Sequence, residues 1–146
     1  MDEINPLRHG RRMRPSPEPC SMAIFGGSGD LTRRKLIPAL YSLSRRRAIP
    51  AGFTILALSR SPMSDVEYRN RLREWVDKGE EGMRSDDATW ESFSQGIHYL
   101  SADFRDPKTY PDVRRVLAEY DKKRGTGGNR IFYLSTAPSE YVEIIR

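Results

Sequence analysis

The sequence predicts an α/β fold, a doubly wound parallel sheet of about four strands with helices on both faces. Short apolar and β-branched runs alternate four times with segments of helical spacing. Parallel strands need crossover connections, and the helical segments supply them. The 146 residues, of which 37% are hydrophobic, suffice for one domain with a buried core.

The first two strands are predicted at residues 22–25 and 53–58, both apolar runs that end in turn residues. Between them, leucines at helical spacing predict a helix over residues 31–47. The buried face of that helix is predicted to contain Leu36, Ile37, Leu40, Tyr41 and Leu43. Pro38 should kink or tighten the first turns without ending the helix, because the apolar pattern continues beyond it.

Further elements complete the alternation. Ser64 and Glu67 have capping-box spacing and predict a helix through residue 76. Its apolar side is predicted to contain Val66, Leu72, Trp75 and Val76. The remaining predicted elements are a polar loop at 77–88, a short helix from 87 to 93, strands at 97–102 and 130–134, and helices at 106–123 and 138–146.

Residues 1–20 are predicted to be a disordered tail, and residues 21–146 the folded domain. The tail is rich in proline and arginine and poor in apolar residues, and we assign it no function. The chain shows neither an apolar signal segment nor a run of ~20 apolar residues. The single cysteine, Cys20, excludes an internal disulfide and is a poor metal ligand or nucleophile. We therefore expect a cytoplasmic protein with no membrane partner.

The formal net charge of +5 raises the question of nucleic-acid binding. The arginines are spread along the chain, and the aromatic residues do not interleave with them as on a base-stacking surface. A solvated basic surface accounts for most of the excess, with a modest attraction for ligands that carry phosphate. We expect no nucleic-acid partner.

Glycines mark the turn between the first strand and the first helix. Gly26, Gly27 and Gly29 permit a sharp turn, and the following helix N-terminus offers backbone N–H groups to an anion. Thr32 replaces the last glycine or alanine of the general dinucleotide fingerprint, which implies looser helix–strand contact or a rotated side chain. Residues 22–35 therefore predict a Rossmann-like cradle for a pyrophosphate. A plain strand–helix turn is the alternative.

Arg60 indicates which dinucleotide is bound. Enzymes that use NAD place an acidic residue near the end of the second strand, where it accepts hydrogen bonds from ribose hydroxyls. This strand ends in Leu-Ser-Arg-Ser at residues 58–61, without an acid. An arginine there suits the 2′-phosphate of NADP, so NADP is favoured over NAD. The alternative is a solvent-exposed arginine without a ligand.

Residues 24–40, Ile-Phe-Gly-Gly-Ser-Gly-Asp-Leu-Thr-Arg-Arg-Lys-Leu-Ile-Pro-Ala-Leu, closely resemble the opening of the glucose-6-phosphate dehydrogenases. The resemblance continues through residues 57–60, 130–134 and 137–141, and it covers essentially residues 21–146. It implies NADP-dependent oxidation of glucose 6-phosphate at C1 to the lactone, in the pentose phosphate pathway.

The resemblance also implies which residues contact the coenzyme. The coenzyme phosphates would be cradled by Gly26, Gly27, Ser28, Gly29, Asp30, Leu31, Thr32 and Arg33. Lys35 would lie near the nicotinamide and the substrate, and Arg60 would contact the 2′-phosphate. Asp103 and Phe104 would pass near the adenosine. Tyr141 would lie near the coenzyme ribose or the nicotinamide.

Some charged residues have simpler expected roles. A carboxylate at Asp30 is expected to cap backbone N–H groups of the first helical turn, because it would repel a pyrophosphate if it faced inward. Arg34 is assigned to the solvated surface. His9 lies in the tail and His98 in a predicted strand, so we assign neither as a catalytic base. We assign no catalytic residue and no metal ligand.

The family's second domain, with its sugar-phosphate site and a histidine motif reading roughly Arg-Ile-Asp-His-Tyr-Leu-Gly-Lys, has no counterpart in the sequence. We therefore expect a truncated coenzyme-binding part that is inactive alone. Glucose 6-phosphate would bind only to the full-length enzyme, and most of the family's oligomer interface would be absent. The main alternative is a stand-alone NADP-binding module with a regulatory or redox-sensing role.

Overall fold

The computed structural model describes residues 17–79 and 84–146, and they form one parallel sheet covered on both faces by helices. The strands are β1 (Ser21–Phe25), β2 (Thr54–Ser59), β3 (Ile97–Ser101) and β4 (Arg130–Leu134), in the order β3-β2-β1-β4. The helices are α1 (Ile37–Arg45), α2 (Asp65–Asp77), α3 (Asp87–Ser94), α4 (Thr109–Arg124) and α5 (Tyr141–Ile145). This architecture confirms the predicted doubly wound α/β fold with four strands.

The sheet has a hydrophobic core on each face, because successive residues of a strand point to opposite sides. Ile24 and Ala57 belong to the core beneath α1, α2 and α3. Phe25 and Leu58 belong to the core beneath α4. β1 and β2 are buried along their whole length, so the continuous apolar runs that predicted them follow from burial on both faces.

A wide helical turn leads into α1. Residues Thr32–Leu36 form a π-helical turn, in which the N–H of Ile37 donates to the carbonyl of Thr32 five residues earlier. Pro38 follows in the first turn of α1, where its missing N–H is tolerated. The helix therefore widens ahead of the proline, which differs from the predicted kink or tightening.

Two residues predicted to be buried point to solvent. Leu43 is 42% exposed, and Val66 is 62% exposed. The buried stripe of α1 is centred on Ile37 and Tyr41, and Leu43 lies about 140° around the helix from that centre. The buried stripe of α2 begins at Tyr68, and Val66 lies about 160° around the helix from it. The capping box at Ser64 and Glu67 forms as predicted.

The folded unit includes the last residues of the segment predicted to be a tail. The N–H of Thr54 donates to the Cys20 carbonyl over 3.1 Å, and Asn129 Nδ2 donates to the Glu18 carboxylate over 3.2 Å. Residues 1–16 lie outside the described residues, as do 80–83 within the predicted polar loop.

The described residues contain neither a membrane-spanning helix nor a cluster of metal-binding side chains. No helix in them is both long enough and apolar enough to cross a membrane. Histidine, cysteine and carboxylate side chains in these parts of the chain do not gather in threes that could hold a metal ion.

His98 predicts a pH dependence of stability. Its Nδ1 lies 3.0 Å from an Asp65 carboxylate oxygen, and its ring stacks on Tyr120. Burial lowers the pKa of the imidazole, against the opposing effect of Asp65. The folded chain then binds fewer protons than the unfolded chain. The stabilisation is therefore complete above the ordinary pKa of about 6.5 and is lost as the pH falls through the lower, folded value.

We expect the free energy of unfolding in urea to decrease as the pH falls from about 7 to 5. The decrease should become smaller in a His98→Gln variant, which retains every other titrating group. Equal pH profiles in the two proteins would contradict this expectation.

Candidate functional site

The glycine turn lies at the point where the sheet changes its winding direction. From β1 the chain proceeds through β2 and β3 on one side, and β4 then pairs with β1 on the other side. In open parallel sheets, ligands bind outside the carboxyl ends of the strands at this switch point. The glycine turn follows β1, and Ser135 and Thr136 follow β4, so both segments border that crevice.

Each glycine of the turn has close neighbours that would crowd a side chain, most severely at Gly26 and Gly27. Gly26 has φ +97°, and a Cβ there would lie 2.3 Å from the carbonyl oxygen of Ser135. A Cβ on Gly27 would lie 2.7 Å from the Ala57 methyl group, and one on Gly29 would lie 3.1 Å from the carbonyl oxygen of Gly26. The glycines therefore let the turn lie directly against β2 and against the segment after β4.

Hydrogen bonds to β2, to the start of the first helix and to α2 hold the glycine turn in place. The N–H groups of Gly26 and Gly27 both donate to the Leu58 carbonyl over 2.9 Å. Thr32 Oγ1 donates to the Gly26 carbonyl over 2.9 Å, and the Tyr68 hydroxyl donates to the Gly27 carbonyl over 2.7 Å. The Thr32 side chain is fully buried, so it joins the helix start to the turn through its hydroxyl.

Tyr68 is not among the residues that the sequence predicts for the site. The residue is fully buried on α2, and burial raises the pKa of its phenol, so the hydroxyl stays protonated and can donate. The spacing of Tyr68, Leu72 and Val76 on one helix face could have predicted its burial. The hydrogen bond to Gly27 depends on how α2 packs against the turn, which no sequence pattern reports.

Two buried hydroxyls beside the turn have no hydrogen-bond partner among the described residues, Ser135 Oγ and Thr136 Oγ1. Ser135 Oγ lies 3.8 Å from the position of a Cβ on Gly29, and the Thr136 methyl group lies 3.3 Å from that on Gly26. A buried hydroxyl without a partner is costly, and a phosphate or sugar oxygen would satisfy it. The sequence predicts no role for this pair. Its one signal would have been two adjacent hydroxyl residues directly after β4.

The first helical turn after the glycines is exposed and basic. Asp30 contacts the guanidinium groups of Arg33 and Arg34 at 3.1 and 3.0 Å. These contacts replace the expected cap, in which the Asp30 carboxylate would accept backbone N–H groups. Exposed ion pairs of this kind contribute little stability, so both arginines can readily turn toward an anion. The other exposed residues here are Ser28, Leu31 and Lys35.

Arg60 lies where the segments after β2, β3 and β4 meet. Its Nη2 is 3.6 Å from an Asp103 carboxylate oxygen and 3.9 Å from one of Glu140. The structure thus brings together the predicted residues Arg60 and Asp103. The structure also brings Glu140 to this point, a residue that the sequence does not single out. Glu140 ends the 3-10 turn Pro138–Glu140 after β4, and β4 is separated from β2 by β1 in the sheet.

The segment that contains Arg60 is held on both sides. The Tyr99 hydroxyl contacts the backbone carbonyls of Ser59 and Ser61, at 3.3 and 2.5 Å. Ser101 Oγ donates to the Arg60 carbonyl over 3.1 Å. These bonds fix the backbone of Arg60 while its guanidinium stays exposed.

The other two predicted residues differ in accessibility. Tyr141 is half-buried and opens α5, directly after Glu140. Phe104 is buried in the core beneath α4, where its ring packs edge-on against Phe25 at 5.4 Å between centroids. The Phe104 ring thus supports the segment that contains Asp103 from within the core.

Comparisons with known proteins identify the family. The family model described as glucose-6-phosphate dehydrogenase, NAD binding domain, matches residues 23–146. A glucose-6-phosphate 1-dehydrogenase of Chlamydia muridarum is 40% identical over 132 residues, which cover 90% of this chain and 26% of that protein. One of Treponema pallidum is 40% identical over 126 residues, covering 86% of this chain and 24% of that protein.

Solved structures agree with the sequence comparison. A glucose-6-phosphate dehydrogenase in complex with glucose 6-phosphate superposes with a TM-score of 0.76 at 26% identity, covering 87% of this chain and 26% of that chain. The glucose-6-phosphate 1-dehydrogenase of Mycobacterium avium superposes with a TM-score of 0.75 at 26% identity, covering 88% of this chain and 26% of that chain. The chain spans about a quarter of the length of these relatives. It belongs to the glucose-6-phosphate dehydrogenase family and corresponds to the NAD-binding domain of that family.

Proposed function

We propose that this chain is the coenzyme-binding part of an NADP-dependent glucose-6-phosphate 1-dehydrogenase. The observation that carries the proposal is the position of Arg60, beside the crevice that the glycine turn borders and exposed at the end of β2. A cytoplasmic setting and a role in glucose metabolism belong to the same proposal, as does glucose 6-phosphate as the substrate of the whole enzyme.

The crevice suits a pyrophosphate. The glycine turn permits close approach of the coenzyme backbone, and the buried hydroxyls of Ser135 and Thr136 can donate to its oxygens. Arg33 supplies positive charge at the exposed helix start. The turn is already braced by Thr32 and Tyr68, so binding requires little ordering of the backbone.

Arg60 would recognise the 2′-phosphate of the adenosine ribose. A guanidinium presents several N–H donors in a plane and pairs with phosphate through charge-assisted hydrogen bonds. The hydrogen bonds of Tyr99 and Ser101 to backbone carbonyls of this segment hold the Arg60 backbone in place, so the guanidinium starts from a fixed point beside the crevice.

The remaining predicted residues complete the proposed site. Lys35 and Tyr141 would lie toward the nicotinamide end, and Asp103 toward the adenosine. Phe104 would support Asp103 from the core, and the exposed Ser28, Asp30 and Leu31 would border the phosphates. Bound NADP would accept a hydride from C1 of glucose 6-phosphate.

Within the described residues we assign no general base. His98, the one histidine among them, is engaged with Asp65 and stacked on Tyr120. We propose that this chain binds the coenzyme and that the proton transfer of the whole enzyme depends on groups that it does not supply.

The test compares the affinities for NADP and NAD by titration calorimetry. We expect tighter binding of NADP, and a loss of about 10- to 100-fold in an Arg60→Gln variant, because a hydrogen-bonded pair with a charged group is worth about 1.5–3 kcal/mol. Binding of NAD should change by less than about twofold, since NAD lacks the 2′-phosphate. The purified chain should form no NADPH from glucose 6-phosphate and NADP.

Arg71→Gln is the matched control, because it removes the same charge from an exposed position on α2. Its affinity for NADP should stay close to that of the unaltered chain. An Arg60→Gln variant that retains the preference for NADP would overturn the assignment of Arg60. Formation of NADPH by the chain alone would overturn its proposed lack of turnover.

A further inference from the structure

The guanidinium of Arg60 is held between two carboxylates that come from different loops. The same nitrogen, Nη2, approaches Asp103 at 3.6 Å and Glu140 at 3.9 Å. Both distances exceed the 2.7–3.2 Å range of an N–H···O hydrogen bond, so the attraction is electrostatic. The guanidinium can therefore leave either carboxylate easily for another anion. The Arg60 side chain is 61% exposed and can therefore reorient without unpacking the core.

The two carboxylates differ in their surroundings. The Asp103 side chain is 52% exposed, whereas that of Glu140 is 21% exposed. A less exposed carboxylate is less well solvated and depends more on a nearby cation. Because Arg60 contacts Glu140, Glu140 loses more electrostatic stabilisation than Asp103 when the guanidinium moves away.

The pair of Arg60 and Glu140 also crosses the crevice. Arg60 follows β2 and Glu140 follows β4, and β1 lies between these strands in the sheet. A contact between them therefore spans the carboxyl end of β1, where the glycine turn begins. Any anion that draws Arg60 toward itself in this crevice competes with Glu140.

We propose that Glu140, assisted by Asp103, determines coenzyme specificity by competing with the 2′-phosphate of NADP for Arg60. This inference rests on the proposed binding of NADP. The 2′-phosphate must attract Nη2 away from the two carboxylates before it can pair with Arg60. NAD has a hydroxyl at that position and does not incur this cost. Glu140 thus lowers the affinity for NADP and leaves that for NAD nearly unchanged, which narrows the preference between the two coenzymes.

The test uses a Glu140→Gln variant, which removes the charge and preserves the shape of the side chain. Exposed and partly exposed ion pairs contribute about 0.2–1 kcal/mol, so we expect NADP to bind about 1.4- to fivefold more tightly. The affinity for NAD should change by less than that. Glu140→Asp, which retains the charge, should preserve most of the competition.

Two further variants show whether Glu140 acts through Arg60. Glu143→Gln on α5 removes the same charge three residues away and should leave the affinity for NADP unchanged. In the double variant Arg60→Gln with Glu140→Gln, the gain from removing Glu140 should disappear, because the competition needs the guanidinium. Circular dichroism and the urea midpoint of each variant verify that the fold is retained.

The outcomes separate this inference from the proposed function. If Arg60→Gln removes the preference for NADP but Glu140→Gln leaves it unchanged, the competition is wrong and the proposed function stands. If the gain persists in the double variant, Glu140 repels the phosphate directly and the competition is also wrong. If the unaltered chain shows no preference for NADP, the proposed function fails and the inference fails with it.

Discussion

Replacing Gly26 with alanine is expected to destabilise the chain by about 2–5 kcal/mol and to abolish coenzyme binding. The left-handed backbone at φ +97° costs an L-residue about 1–2 kcal/mol. The added methyl group would also lie 2.3 Å from the Ser135 carbonyl oxygen, and relieving such overpacking costs about 1–3 kcal/mol more. Urea unfolding would measure the first effect, and calorimetric titration with NADP the second.

Gly127→Ala is the matched control for this substitution. Gly127 also has a positive φ, +58°, and a Cβ there would meet no atom within 4 Å. This variant isolates the backbone strain, so its loss of stability should be about 1–2 kcal/mol. Equal losses in the two variants would show that the segment after β4 moves freely away from the glycine turn.

Replacing Tyr68 with alanine is expected to cost about 3–5 kcal/mol, the usual effect of removing a large buried ring. The ring packs between Trp75 and Tyr99, with centroid distances of 6.4 and 4.9 Å. Its removal opens a cavity beneath the glycine turn and loosens the α2 side of the site. The loss would be measured by urea unfolding at constant pH.

A Tyr68→Phe variant separates packing from hydrogen bonding. It keeps the ring and leaves the buried Gly27 carbonyl without the hydroxyl donor, at a cost of about 1–3 kcal/mol. Tyr133→Phe, which removes a hydroxyl from a half-buried position on β4, serves as control. A Tyr68→Phe variant as stable as the unaltered chain would show that the hydroxyl does not brace the turn.

Most of the fold could be predicted because each element has a local signal. The apolar runs of β1 and β2, the capping box at Ser64 and Glu67, and the glycines after β1 each depend on a few neighbouring residues. The errors at Leu43 and Val66 arose because each apolar residue was counted as part of the buried stripe of its helix, although it lies far around the helix from that stripe. The phase of a stripe is set by packing against the sheet, as Tyr41 and Tyr68 show.

The site was predicted less completely because part of it is assembled by topology. Gly26 and Thr32 belong to one short motif, so their proximity follows from the sequence. Glu140 reaches Arg60 only because β4 pairs with β1 while β2 lies on the other side. Ser135 Oγ and the Thr136 methyl group likewise lie beside the glycine turn because of strand order.

The Leu58 carbonyl, which accepts the N–H groups of both Gly26 and Gly27, has a consequence for ligand selection. Leu58 lies on the same strand as Ser59, directly before Arg60, so one strand positions both the proposed pyrophosphate cradle and the Arg60 backbone. The distance between these two points is set by the strand, while the exposed guanidinium moves only within the reach of its side chain. The proposed site should therefore select ligands by the spacing of their negative groups, because a ligand with groups at a very different spacing would reach one point and miss the other.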